Sequence, residues 1–311
     1  MSDTVHGIHH VTVIAGDPVE NLNFYKKTLG MRLVKKSVNQ DAPETYHLFF
    51  ADAAGSPGSD LTFFPWPDMR PGFNGIGLTT EVPLAVDPDA IDYWLPRLQK
   101  NGVSVGDIEL RFGEKTLPFV DTHGLRLALV ETTDERDFAA WQESPVPVEH
   151  QIKGIHTVRL WERELAATEK LLYVLGFTKL ADEKGWTRYG VDGGGSGKIV
   201  EVREIPDGRR GMWGPGIVHH VAWRVNDSDE ELAVRKKIAA AGLSPTEQID
   251  RFWFKSIYFK EPGGALFEIA TDGPGFSVDE EPDKLGEKLI LPPWLESARE
   301  QIEAALPDLG E

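Results

Sequence analysis

The chain has 311 residues, 41% of them hydrophobic and 10% aromatic, which is enough for two ordinary domains with a sizeable core. Its formal charge of −17 repels phosphate backbones and anionic lipid surfaces, and its lack of cysteine excludes disulfides, thiolate nucleophiles and sulfur-ligated metals. MSDTVHG at the start has neither a basic region nor an apolar core and no run approaches a membrane span, so a cytoplasmic enzyme or binding protein is expected, without nucleic-acid or membrane partners.

The first alternating run, GIHHVTVIAGD at 7–17, predicts a strand headed by two adjacent histidines. Asp17-Pro18 reads as an N-cap followed by proline at the first helical position; Leu22, Tyr25 and Leu29 keep helical spacing, and Gly30 suits the stop. Strand-like runs close this unit near residue 66. A second unit, 75–134, places Ile91, Trp94, Leu95 and Leu98 before Gly102 and closes with DTHGLRLALVE. The linker ESPVPVEH, 143–150, precedes a third unit at 154–206, where Leu171, Leu172 and Leu175 lead to Gly176 and GGGSGKIVEV makes a closing hairpin. GGGS lacks a following Lys-Ser or Lys-Thr pair, so a phosphate cradle is not expected. The fourth unit, 217–272, opens IVHHVAWRVND, places Val234, Ile238 and Ala241 before Gly242, and closes with EPGGALFEI. From 279 an acidic lead-in precedes a proline-started helix, with Trp294, Leu295, Ile302 and Ala305 available to pack as a clamp. The predicted division is an N-terminal half (1–146) with two units, a C-terminal half (151–275) with two more, and a tail (276–311) with a helix.

A βαβββ unit repeated four times, with HHV heading one copy and PGGALFEI ending another, resembles the vicinal oxygen chelate superfamily, which includes glyoxalases and extradiol dioxygenases. The resemblance covers about residues 7–272. It implies an α+β fold in which paired units curve into two barrel-like half-closed mixed sheets, with helices outside and a metal in the concavity.

Strand alternation then sorts the histidines. His9, Val11 and Val13 share one face of the first strand, against His10, Thr12 and Ile14; in the fourth unit His219, Val221, Trp223 and Val225 stand against His220, Ala222, Arg224 and Asn226. The more apolar face belongs under the helix, so His10 and His220 point into the concavity. Phe267 and Ile269 take the apolar face of PGGALFEI and leave Glu268 inward. Two imidazoles and one carboxylate make a triad whose open positions suit Fe(II) and oxygen chemistry. His9 and His219 become packing residues or supports for the ligands. A single strand histidine is more often a satisfied polar residue than a ligand, but matching repeat positions with a matching acid are hard to reach by coincidence. In the third unit His156 aligns with His9 and Thr157 with His10, the second unit opens GIGLTTEV without histidine, and Glu201, opposite Glu268, reads as structural. The triad is complete only if units one and four pair.

HHVT, HHVA, and Arg251, Tyr258 and Glu268 at separations of seven and ten residues further resemble bacterial ring-cleaving dioxygenases that open hydroquinones and use units one and four for iron. A turn at Pro262-Gly263-Gly264 independently sets Tyr258 beside Glu268, whereas Arg251 has the opposite parity and needs a bulge or a preceding loop. The resemblance implies an Fe(II)-dependent enzyme, with Mn(II) able to substitute, that brings a small aromatic substrate and O2 together. A neutral histidine near the metal, such as His9 or His219, or a Tyr258 tyrosinate would take a phenolic proton, Tyr258 or Arg251 would stabilise charge on the second ring oxygen, and Thr12 would hydrogen-bond the substrate or oxygen. Trp66, Trp223, Phe252, Trp253 and Phe254 could line the pocket or simply belong to the core. A homo-oligomer is compatible with the sequence. A glyoxalase-like lyase or isomerase is the first alternative, but Thr62 and Phe63, the unit-one residues nearest the Glu268 position, offer no fourth ligand. A non-catalytic aromatic-binding protein of the same fold would keep the same triad.

Overall fold

The computed structural model describes residues 3–310. In unit one β1 (Ile8–Ala15) passes through Asp17, whose side chain accepts from the amides of Val19 (2.8 Å) and Glu20 (2.9 Å), into α1 (Pro18–Asn23). The helix widens into one turn of π geometry at Phe24–Thr28 and the chain turns at Gly30, φ +70°. β2 (Arg32–Asn39), β3 (Ala42–Ala51) and β4 (Asp60–Pro65) close the unit. Unit two holds β5 (Leu78–Val86), α2 (Ile91–Lys100), the short β6 (Ser104–Val105) and β7 (Glu109–Arg111), then β8 (Glu114–Val120) and β9 (Arg126–Glu131). Unit three holds β10 (Gly154–Ile155), β11 (Thr157–Glu162), α3 (Leu165–Leu175), β12 (Thr178–Glu183), β13 (Trp186–Gly190) and β14 (Ile199–Glu204). Unit four holds β15 (Ile217–Val225), α4 (Ser228–Ala240), β16 (Ile249–Asp250), β17 (Lys255–Lys260) and β18 (Leu266–Thr271).

Units one and two do not share a sheet, nor do units three and four. The first sheet has eight strands in the order β16-β17-β18-β15-β1-β4-β3-β2, so units four and one build it. The second has ten, β12-β13-β14-β11-β5-β9-β8-β6 with β10 on β5 and β7 on β8, from units three and two. Both are mixed: β1 is parallel to β4 and β15 to β18, while β1 and β15 meet antiparallel at the seam. Each sheet curls, and one continuous core joins their outer apolar faces to Leu22 and Tyr25 of the first helical segment, Trp94, Leu172 and Ile238.

The seam carries two irregularities that strict alternation does not anticipate. Ile8 lies opposite Trp223 and His10 opposite Ala222, so His9 is an extra residue in β1; Thr12 lies opposite His220 and Val13 opposite Val218, so His219 is extra in β15. Both are β-bulges, each falling on a histidine pair. Ile8, Val11 and Val13 join the core, as do Val218, Val221 and Trp223. His9 instead turns with His10 toward Phe254, with ring centroids 5.2 and 5.3 Å away, and His219 and His220 both line a cavity that Phe254 borders. The assignment of His9 and His219 to the helix-facing side is thus corrected.

Beyond residue 272 the chain wraps the free edge of the first sheet. Ile290 N–H donates to Lys36 O (2.9 Å) along β2, and Ile302 of α5 (Arg299–Ala305) packs with Val38 and Leu291. This covers an edge that would otherwise present unpaired backbone groups. Fully buried Lys35 ties the tail down through Asp279 (2.6 Å) and Glu280. Among the described residues no helix is long and apolar enough to cross a membrane.

Candidate metal centre

Strands β1, β15 and β18 carry His10, His220 and Glu268 to one point. Register sets this: Ala222 pairs with Glu268, and His220 precedes Ala222 by two residues on the same face. His10 Nε2 and His220 Nε2 are 3.2 Å apart and lie 3.4 and 2.9 Å from Glu268 Oε2. All three side chains are buried, with both imidazoles on the floor of a cavity of about 320 Å³. Ser256 Oγ donates to Glu268 Oε1, while Oε2 accepts no hydrogen bond of good geometry. Burial disfavours the carboxylate, but the adjacent imidazoles outweigh it and hold Glu268 well below the usual range. Burial also lowers His220, although Glu268 opposes that. A buried carboxylate oxygen without a donor, facing two imidazole nitrogens within 4.8 Å and no sulfur, fits a first-row divalent cation with positions left open.

The bulges explain why histidines come in pairs. His9 Nδ1 lies 2.9 Å from His10 Nδ1, and His219 Nδ1 lies 2.8 Å from His220 Nδ1. With Nε2 of each inner histidine turned to the common point, its Nδ1–H donates to the preceding ring, which fixes tautomer and orientation. Burial, then the charge of the neighbouring imidazole, pushes His9 and His219 down to about 3, so both remain neutral acceptors.

Thr62 occupies the fourth corner. It pairs with Thr12 on the parallel strands β1 and β4 just as Glu268 pairs with Ala222, and His10 precedes Thr12 by two residues. Thr62 Oγ1 is 2.8 Å from Thr12 Oγ1 and 2.9 Å from His47 Nε2. Thr12, for which a hydrogen bond to substrate or oxygen is expected, is buried, and its hydroxyl is engaged with Thr62. His47 does line the cavity and was not singled out in the sequence. A signal existed: Phe49 stands beside Thr62 as Tyr258 stands beside Glu268, so extending the repeat to β3 puts His47, two residues away, on the inward face.

Tyr258 lies in register with Glu268, its ring 5.7 Å from His220. Burial and the Glu268 charge raise its hydroxyl above the ordinary value, which keeps it a donor. Arg251 arrives from the loop before β17, where Phe252 adopts φ +75°, so the loop resolves the parity conflict. Its guanidinium sits 5.3 Å from the Tyr258 ring centre and 2.9 Å from Asp41 at the mouth. Trp253 and Phe254 line the cavity; Trp223 is core, Phe252 packs on Trp294, and Trp66 lines a neighbouring cleft.

The equivalent place in the second sheet is filled. Glu201 pairs in register with Arg159 as Glu268 does with Ala222, and it is held by Arg159 Nε (2.8 Å) and Arg188 Nη2 (2.6 Å). Arg188 also meets Glu114 (2.7 Å), and His156 lies 3.2 Å from the same carboxylate. Only about 10 Å³ remains there. Two guanidinium groups supply the positive charge that a cation would supply in the first sheet.

The model of the glyoxalase/bleomycin resistance protein/dioxygenase superfamily matches residues 7–129 and 163–269. The chain belongs to that superfamily. Across 98% of its length it is 42% identical to a Bacillus subtilis protein named "putative ring-cleaving dioxygenase MhqO", covering 97% of that protein. It is 31% identical to the chlorohydroquinone/hydroquinone 1,2-dioxygenase of Sphingobium indicum, over 99% of this chain and 98% of that one. A crystal structure described as a "putative dioxygenase" from Bacillus subtilis superposes with a TM-score of 0.94 at 41% identity, covering 99% of this chain and 98% of the other. The superfamily is metal-dependent, and the histidine–histidine–glutamate cluster is where this member offers a site.

Proposed function

We propose that this ring-cleaving dioxygenase uses Fe(II), with Mn(II) able to replace it, to open a hydroquinone or related phenol with O2 in the cytoplasm. The observation that carries this reading is the three-ligand centre whose fourth corner is Thr62, set under aromatic walls formed by Phe49, Trp253 and Phe254. His10, His220 and Glu268 would hold the ion from one side, and His9 and His219 keep the two imidazoles aimed. Iron there would supply the electron exchange that makes dioxygen reactive toward an aromatic ring. The aromatic walls hold the ring flat, and Trp253 is itself anchored by donating its indole N–H to Asp279 of the tail (2.8 Å). Tyr258 donates toward charge developing on a ring oxygen, with Arg251 adding positive charge beside it. A lyase that holds an enediolate with four protein ligands would need a carboxylate where Thr62 stands. The segments 1–146, 151–275 and 276–311 are proposed as units of sequence organisation, each half contributing one repeat to each sheet. Self-association into a homo-oligomer belongs to the same proposal.

The test is oxygen uptake by anaerobically iron-loaded protein given methylhydroquinone, catechol or a glutathione hemithioacetal in separate reactions. O2 consumption with methylhydroquinone, loss of ring absorbance and a ring-opened acid are expected. Turnover of the hemithioacetal under argon, with no aromatic oxidation in air, would overturn the reading.

A further inference from the structure

The cavity has two polar walls, one carrying Tyr258 and Arg251 and the other His47. Strand order places β17, which carries Tyr258, on one side of the β15–β1 seam and β3, which carries His47, on the other. His47 is held rigidly. Its ring lies 3.8 Å from Phe49 and 4.3 Å from Phe64, centroid to centroid, and its Nε2 is taken by Thr62 Oγ1 at 2.9 Å. Thr62 is in turn fixed by Thr12 at 2.8 Å. The fixed Nε2 leaves Nδ1 as the nitrogen able to meet a molecule in the cavity. Across the cavity Arg251 is engaged with Asp41 (2.9 Å) and lies over the Tyr258 ring, and His219 Nδ1 is taken by His220 Nδ1 (2.8 Å). A ring hydroxyl seated against Phe49 and Phe64 loses its water, and His47, packed on both rings, is placed to replace that hydrogen bond.

We propose that His47 is a specificity-determining residue, hydrogen-bonding through Nδ1 to the ring oxygen of the substrate that the metal centre does not hold. It selects aromatic diols over monophenols. The Thr12–Thr62–His47 chain stands where a fourth ligand would be and serves to position that ring. The proposal rests on the ring-cleaving reading of the site. Burial, then the charges of His10 and His220, holds His47 well below its ordinary value, consistent with a neutral ring that can accept from a hydroxyl.

The experiment measures binding without turnover. Hydroquinone and phenol are titrated under argon into iron-loaded wild type, His47→Leu and His47→Asn, following quenching of tryptophan fluorescence; Trp253 lies in the cavity wall. Iron content and melting temperature are recorded for each. His47→Leu should keep its iron and its affinity for phenol but bind hydroquinone about tenfold more weakly, the usual effect of stranding one buried polar group. His47→Asn, whose amide can take the place of Nδ1, should recover much of the preference. Unchanged preference for hydroquinone in His47→Leu overturns the assignment while leaving the ring-cleaving reading intact, as does an equal loss for both ligands. Wild type that binds both ligands equally well, and consumes no oxygen with hydroquinone, overturns both.

Discussion

Tyr258 and His219 touch different parts of the centre, and their variants should fail differently. Tyr258→Phe keeps the ring packed against His220 and removes only the hydroxyl. It should retain iron yet lose on the order of a hundredfold in turnover, as expected for loss of an acid–base or charge-stabilising group; wild-type turnover across the pH range would end that role. His219→Leu leaves every first contact to the ion in place and removes the acceptor 2.8 Å from His220 Nδ1. Its iron affinity should fall by about ten- to a hundredfold, read by competition with a chelator, because the ligand loses the partner that orients it. The sequence pointed to both residues. It placed His219 on the wrong face because alternation assumes an unbroken strand, whereas here one extra residue per strand turns two consecutive side chains to the same side.

The β17–β18 hairpin is fixed at its turn as well as along its strands. Tyr258 and Glu268 meet only if its turn is compact, and the turn seats against the end of β11 in the other sheet. Glu261 accepts from Thr168 Oγ1 (2.8 Å) and Ala265 N (3.0 Å), and a Cβ on Gly263 would come within 1.4 Å of Glu162 Oε2. Glu162 is buried there without a hydrogen-bond donor. Burial first, and Glu261 second, pushes it up to about 9. A folded value above the unfolded one means that the native state holds the extra proton. The contribution to stability is full below the unfolded value and is lost as pH rises toward about 9, by up to roughly 1.4 kcal/mol per pH unit. Glu162→Gln carries no such proton, so its melting temperature should overtake that of wild type progressively between about pH 5 and 9. Parallel melting curves for the two proteins over that range would show that Glu162 is ionised in the fold.

For the molecule as a whole, the pairing of unit one with four and of two with three decides how many metal centres exist. One sheet converges two imidazoles and a carboxylate; the other answers Glu201 with Arg159 and Arg188. The chain should therefore bind one iron. His10→Ala should abolish stoichiometric binding, and His156→Ala should leave it nearly intact, both measured by metal analysis after dialysis. Loss of iron in His156→Ala with retention in His10→Ala would move the centre to the second sheet.

Local chemistry by itself determined the four units, because alternation, N-caps such as Asp17 and glycine stops such as Gly176 act over a few residues and repeat. It also determined which side chains could be ligands, since histidine and glutamate at matching repeat positions are visible without any fold. Only the tertiary structure decided that β1 meets β15 rather than β5, that both histidine pairs sit in bulges, that the Thr12 hydroxyl meets Thr62, and that His47 reaches the cavity. Those outcomes depend on register between strands about two hundred residues apart, where one residue of slip redirects every side chain, and nothing in a local pattern fixes that register.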